Sequence, residues 1–159
     1  MSYDFSADDI FEMAEQLERN GSKFYKDAAN ASKDTETHDF LMTLASMEEE
    51  HERTFAQLRA DLSKEEKSPT IFDPSGESAL YLKALVDMKV FFEKEIDVAS
   101  MKEVLTSAVT AEKDSIVFYM GMREMVPGKL GKERLDGIIK EEMGHIRLLG
   151  AKLAEYKNR

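Results

Sequence analysis

Six residues of this 159-residue chain have the types and the spacing that a carboxylate-bridged pair of metal ions needs. They form two sets, each a lone glutamate followed 30 residues later (48−18 and 142−112) by a Glu-x-x-His run. The sets repeat at a shift of 94 positions (112−18, 142−48, 145−51) and comprise Glu18, Glu48 and His51, then Glu112, Glu142 and His145. Residues three apart face the same side of a helix. Two equivalent helical pairs therefore predict a dinuclear metal site.

The repeat extends beyond these six residues. The same shift superposes Phe24-Tyr25 on Phe118-Tyr119, and Arg53 on Arg147. A lone Glu-x-x-His would be weak evidence, because glutamate-rich runs are usually solvated helix faces. Here two of the three histidines of the chain fall in the motif, whereas His38 has no ligand-like neighbours and is expected to be exposed.

Helical periodicity dominates the chain and predicts four long helices. The first opens at a Ser6 N-cap and runs to about Asn30, and the fourth follows a break at Pro127-Gly128. The second and third span about Asp34–Leu62 and about Ser100–Val126. Each helix carries its ligand candidates inside an apolar stripe, for example Leu41, Leu44, Glu48, His51, Phe55 and Leu58 in the second.

Charged side chains inside apolar stripes need partners, because an unpaired buried carboxylate is costly. Four glutamates carry a charge of −4, which two divalent cations would cancel. The alternatives are that Glu18 and Glu112 are protonated or hydrogen-bonded core acids and that both histidines are satisfied core residues. Oxygen-rich ligands with one imidazole per metal suit iron or manganese.

Tyr25 and Tyr119 each follow a lone glutamate by seven residues, two turns along the same helix face. One interpretation is packing with a satisfied hydroxyl group. The other is a hydrogen bond to a ligand carboxylate, which would support the metal site. The spacing alone leaves both interpretations open.

The loop within each helix pair is short, so each pair is predicted to be an antiparallel hairpin. Residues 63–99 between the pairs are too many for a turn, and this connector has to run back along the bundle to start the third helix beside the second. Its apolar part, Leu80 to Phe92, predicts a short helix packed on the bundle or on a second subunit. We therefore expect a homodimer with this segment near the contact, in which domain swapping is possible.

Composition limits the remaining choices. The length fits one domain over residues 1–159. A net charge of −10 without a Lys/Arg stripe argues against nucleic acid, and no apolar run approaches the roughly 20 residues that span a bilayer. The lack of a signal pattern predicts the cytoplasm. The chain has no cysteine, which excludes disulfides and thiolate-held iron within it.

The two Glu-x-x-His runs, Glu18 and Glu112 and the repeated Phe-Tyr pairs resemble the ferritin-like di-iron carboxylate superfamily, and most of all its rubrerythrin branch. The resemblance covers nearly the whole chain. It implies an all-α, ferritin-like antiparallel four-helix bundle with a long crossover and a short extra helix. It also implies two irons bridged by Glu48 and Glu142, with Glu18 and Glu112 as terminal ligands and one histidine on each iron.

The resemblance implies an oxidoreductase that reacts with hydrogen peroxide or dioxygen. Rubrerythrins proper carry a cysteine-bearing rubredoxin domain, so here the electrons are expected from an external donor such as a rubredoxin-type protein. Rubrerythrins also use an extra glutamate three residues after the third-helix ligand, and this chain has Ser115 there. The alternatives are a ferroxidase or iron-storage protein and a non-catalytic metal-binding bundle.

Overall fold

The computed structural model describes residues 6–63, 100–126 and 128–158, together with positions 77, 80–82 and 84. These residues contain four long helices and no strand: α1 Ala7–Ala31, α2 Thr35–Ala60, α3 Met101–Arg123 and α4 Lys129–Lys157. The four predicted helices are confirmed, and α3 ends three residues earlier than predicted (126−123). None of the described helices combines the length and the hydropathy needed to cross a lipid bilayer.

Side chains cap the first three helices, and the predicted N-cap at Ser6 is confirmed. Ser6, Asp34 and Ser100 each accept a hydrogen bond from the backbone N–H three residues further on. Helix α4 begins differently, after Gly128, whose φ of 79° lies in the left-handed region that favours glycine.

Two apolar clusters show how the helices run. One joins the starts of α1 and α4 to the ends of α2 and α3, for example through Phe11, Phe55, Tyr119 and Leu135. The other joins the opposite ends. Helices α1 and α2 pack as one hairpin and α3 and α4 as the other, with α1 against α3 and α2 against α4. Helix α3 thus begins at the same end as α2 but lies against α1, and every helix is antiparallel to its neighbours.

The connector contributes to the first apolar cluster. Its described positions 77, 80–82 and 84 are helical, and Leu82 is fully buried against the bundle. Leu80 is 63% exposed, and Tyr81 lies so close to Gly121 that a Cβ atom there would be 2.6 Å from the tyrosine ring. The rest of the predicted segment Leu80 to Phe92 lies outside the described residues.

Candidate metal centre

All six predicted ligands lie in the middle of the bundle, between the two apolar clusters. Each is at most 2% exposed, although four are acids in an interior of leucine, phenylalanine and tyrosine. Helices α1 and α3 supply one glutamate each, and α2 and α4 supply one Glu-x-x-His each. The i, i+3 spacing points the glutamate and the histidine of each run to the same side of its helix.

The two histidines have matching surroundings. His51 Nδ1 lies 2.7 Å from Glu142 Oε1, 3.5 Å from Glu18 Oε2 and 3.6 Å from Glu48 Oε2. His145 Nδ1 lies 3.2 Å from Glu48 Oε1, 3.4 Å from Glu112 Oε1 and 3.6 Å from Glu142 Oε2. Each histidine therefore faces both glutamates of its own hairpin and the Glu-x-x-His glutamate of the other, as a pseudo-two-fold axis requires.

These atoms form two overlapping sets, each suited to one metal ion. Within each set the ligand atoms lie within 4.8 Å of one another. The first set is Glu18, Glu48, His51 and Glu142, and the second is Glu48, Glu112, Glu142 and His145. Glu48 and Glu142 belong to both sets, as a carboxylate that bridged two ions would have to.

The hydrogen bonding of the cluster is incomplete without a further partner. Among the described residues, seven buried side-chain nitrogen and oxygen atoms have no hydrogen-bond partner, and all seven belong to five of the predicted ligands: Glu48 Oε1, His51 Nδ1, Glu112 Oε2, Glu142 Oε1 and Oε2, and His145 Nδ1 and Nε2. His51 Nδ1 is near Glu142 Oε1 but lacks hydrogen-bond geometry with it. Buried polar atoms are rarely left unpaired, so the six of these atoms other than His145 Nε2, which converge from α2, α3 and α4, fit shared cations.

The two tyrosines support the lone glutamates across the hairpins. Tyr25 donates its hydroxyl hydrogen bond to Glu112 Oε1, and Tyr119 donates to Glu18 Oε1. Burial, followed by the neighbouring carboxylate charge, raises the pKa of both phenols well above the usual value. Both hydroxyls therefore stay protonated and remain donors. Of the two interpretations of these tyrosines, the observed one is a hydrogen bond to a predicted ligand carboxylate.

The carboxylates perturb one another's ionisation. Burial, reinforced by the charge of Glu142, raises the pKa of Glu48 well above its usual range and that of Glu112 to about 8. Burial acts to raise the pKa of Glu142, but close contacts with Glu112 and the two histidines hold that pKa below its ordinary value. Burial alone would lower the pKa of His145, and contacts with three glutamates raise it to about 12. Without metal, the cluster therefore retains protons that a metal would displace.

One residue in contact with the cluster was not predicted from the sequence. Glu141 of α4 accepts a hydrogen bond from His51 Nε2, the ring nitrogen that faces away from the other ligands, at 2.5 Å. The available signal was the doubled glutamate at the start of the second Glu-x-x-His run. His38, the third histidine, lies away from the centre with its side chain 42% exposed, as predicted.

No protein-family model matches this chain, and no curated protein matches it at a significant level. A solved structure does match: the crystal structure of a Thermotoga maritima protein provisionally assigned as a ferritin-like diiron-carboxylate protein. The TM-score is 0.68 at 24% identity, over 97% of this chain and 95% of that chain. This chain has a ferritin-like fold. The predicted fold class is therefore confirmed, while the assignment to the rubrerythrin branch stays a prediction.

Proposed function

We propose that the protein is a dinuclear metal oxidoreductase that reduces hydrogen peroxide or dioxygen with electrons from an external donor. One observation carries the proposal. The unpaired buried polar side-chain atoms of the described residues all belong to the predicted ligands, and they come from α2, α3 and α4. Helix α1 contributes Glu18, whose carboxylate lies 3.5 Å from the His51 ring. Such a cluster does not serve stability alone, since apolar residues of similar volume at these positions would give a more stable core.

The donor set supports iron, with manganese as the alternative. Glu48 and Glu142 would bridge two ions, Glu18 and Glu112 would each hold one, and each histidine would bind one through Nδ1. Four carboxylates balance two divalent cations, so the loaded centre would carry little net charge. Structural zinc sites favour thiolates and closed tetrahedral geometry, whereas carboxylate-rich sites with imidazole suit iron and manganese.

A bound pair of iron ions would supply the two electrons that convert hydrogen peroxide and two protons into two water molecules, and the external donor would restore them. The protein has three tasks in this reaction. The apolar clusters on both sides exclude water, the tyrosine hydroxyls hold one oxygen of each lone glutamate, and the buried acids hold or release protons as the charge of the centre changes. A rubredoxin-type protein is the proposed donor class.

Metal analysis of tag-free protein tests the proposal directly. We expect about two ions per chain after anaerobic loading with ferrous iron, as in carboxylate-bridged bundles of this type. The reduced, loaded protein should consume hydrogen peroxide and be oxidised in the process. His51→Ala and His145→Ala should lower the metal content, and His38→Ala provides the matched control because His38 lies outside the centre.

The same experiment separates the alternatives. Uptake of iron far beyond two ions per chain would favour storage. Two bound ions that do not react with peroxide or dioxygen would favour a non-catalytic bundle. A chain that retains no metal after loading would overturn the proposal.

A further inference from the structure

The two histidines of the centre differ at the nitrogen that points away from the other ligands. His51 Nε2 donates to Glu141 Oε2 at 2.5 Å. His145 Nε2 is buried, and the described part of the chain offers it no hydrogen-bond partner. The shift of 94 explains the difference, because the position equivalent to Glu141 is Met47 (141−94), which has no hydrogen-bonding group of comparable strength.

A carboxylate on the outer nitrogen of a metal-binding histidine has two effects. It fixes the tautomer and the orientation of the ring, and it increases the basicity of the nitrogen that faces the metal. Loss of such a partner typically costs about 10- to 100-fold in metal affinity. The Glu141 side chain is 56% exposed, so solvent weakens its charge, but its oxygen still lies within a short hydrogen bond of a ring that is 3% exposed.

We propose that the two metal positions are unequal and that Glu141 is the positioning residue responsible. The position formed by Glu18, Glu48, His51 and Glu142 fills first, and the position with His145 fills second. The inference rests on the proposed function in one respect, namely that the six residues bind metal. It adds an order of loading that the near-symmetric repeat would not predict.

Titration of the metal-free protein with cobalt(II) chloride, followed by visible absorption, tests the order. We expect two steps separated by about 10-fold or more in affinity, the effect of one carboxylate partner. His51→Ala should remove the tight step and leave the weak one. His145→Ala should do the reverse, so the two variants assign each step to its position.

Variants of the outer residue test the cause. Glu141→Ala should weaken the tight step by about 10-fold or more and leave the weak step unchanged. Glu141→Gln, which keeps an acceptor without the charge, should restore part of the loss. Glu133→Ala is the matched control, since Glu133 is an exposed α4 glutamate that pairs with Lys129 on the surface. Met47→Glu supplies the missing carboxylate and should tighten the weak step.

Thermal melting of the metal-free variants distinguishes positioning from a structural role. Glu141→Ala should melt within a few degrees of the parent, because the hydrogen bond is partly exposed. Two equal steps in the parent, or an equal loss in both steps of Glu141→Ala, would overturn the inference while leaving the dinuclear site in place. A complete lack of cobalt binding would overturn both proposals.

Discussion

At the scale of single residues, the candidate site consists of six buried side chains and the partly exposed Glu141, which forms a hydrogen bond with one of them. The six candidates could be predicted because the 3.6-residue period of a helix places them on the same face as apolar residues, where a charged side chain requires a partner. Glu141 was not predictable, because position alone does not distinguish it from a solvated glutamate. Its contact with His51 depends on how closely α2 and α4 approach, which is a property of packing.

The first prediction concerns Glu18 and its tyrosine. Glu18→Leu removes one charge from a crowded cluster but leaves the Tyr119 hydroxyl, buried and fully enclosed, without its acceptor. An unpaired buried hydroxyl costs about 1–3 kcal/mol. We therefore expect the metal-free double variant Glu18→Leu/Tyr119→Phe to be more stable than Glu18→Leu by about that amount, and no less stable than the parent, as urea unfolding would measure.

Both variants should lose metal stoichiometry, since Glu18, the proposed terminal ligand of one position, is gone. The equivalent pair, Glu112→Leu with Tyr25→Phe, provides an internal repeat of the experiment because Tyr25 donates to Glu112. A double variant that unfolds without metal would contradict the prediction and assign Glu18 a structural role beyond this hydrogen bond.

The second prediction concerns pH and the metal-free protein. The pKa of Glu112 is raised from 4.5 to about 8 and that of His145 from 6.5 to about 12, so the folded chain binds more protons than the unfolded chain between pH 6 and 8. Stability then falls as pH rises, by about 1.4 kcal/mol per pH unit for each such proton. The lowered pKa of Glu142 acts below 4.5, outside this window.

Urea unfolding in the presence of a chelator at pH 6, 7 and 8 measures this slope. We expect the free energy of unfolding to decrease over the series, and the slope to be smaller for metal-loaded protein, in which the ions have displaced the protons. Stability of the metal-free protein that rises with pH would contradict the direction of these pKa shifts.

At the scale of the helices, the predicted starts of α1, α2 and α3 agree with the structure, and a side chain caps each of them, at Ser6, Asp34 and Ser100. The end of α3 was placed too late. Met125 N–H and Val126 N–H both bond to Met122 O, three and four residues back, so a last turn closes after the helix has ended at Arg123. Pro127 disfavours helical backbone at the residue before it, but its influence on the residues further upstream depends on packing that the sequence does not display.

The third prediction concerns the glycines of α4. Gly137 is exposed, and a Cβ atom there would have no neighbour within 4 Å, so Gly137→Ala should stabilise the protein by up to about 1 kcal/mol through helix propensity. Gly131 is the matched contrast. A Cβ atom there would lie 2.8 Å from Val126 Cγ1, a buried and stiff side chain, so Gly131→Ala should lose that gain or destabilise. Thermal melting of both variants measures the difference.

At the scale of the whole molecule, the internal repeat predicted two equivalent hairpins, and the reciprocal bonds from Tyr25 to Glu112 and from Tyr119 to Glu18 have that symmetry. The course of the connector could not be predicted in detail. Its apolar residues have no partner repeat in the other hairpin, and whether Leu82 packs on the bundle or on another chain depends on tertiary contacts. The described residues place Leu82 in the bundle and leave Leu80 exposed.

The hairpins differ on their outer faces. On the first, Lys26 pairs with Glu49, and the equivalent positions of the second hairpin are Met120 and Met143 (26+94, 49+94), which are 57% and 52% exposed. Val117, equivalent to Lys23, is also exposed. Because the outer face is polar in one half and carries apolar side chains at the same positions in the other, we expect the second hairpin to form any contact with another subunit.

The last prediction is therefore a homodimer, with the outer face of α3 and α4 and the exposed Leu80 and Tyr81 at or near the contact. Light scattering should give about twice the chain mass of 18.1 kDa at micromolar concentration. Met120→Lys/Met143→Glu copies the ion pair of the first hairpin onto the second, and a surface ion pair adds little stability of its own. This variant should shift the protein towards the monomer without changing its helicity or its metal content, because neither methionine is a predicted ligand. A parent protein that is already monomeric would contradict the dimer, and a variant that stays dimeric would place the contact on another face.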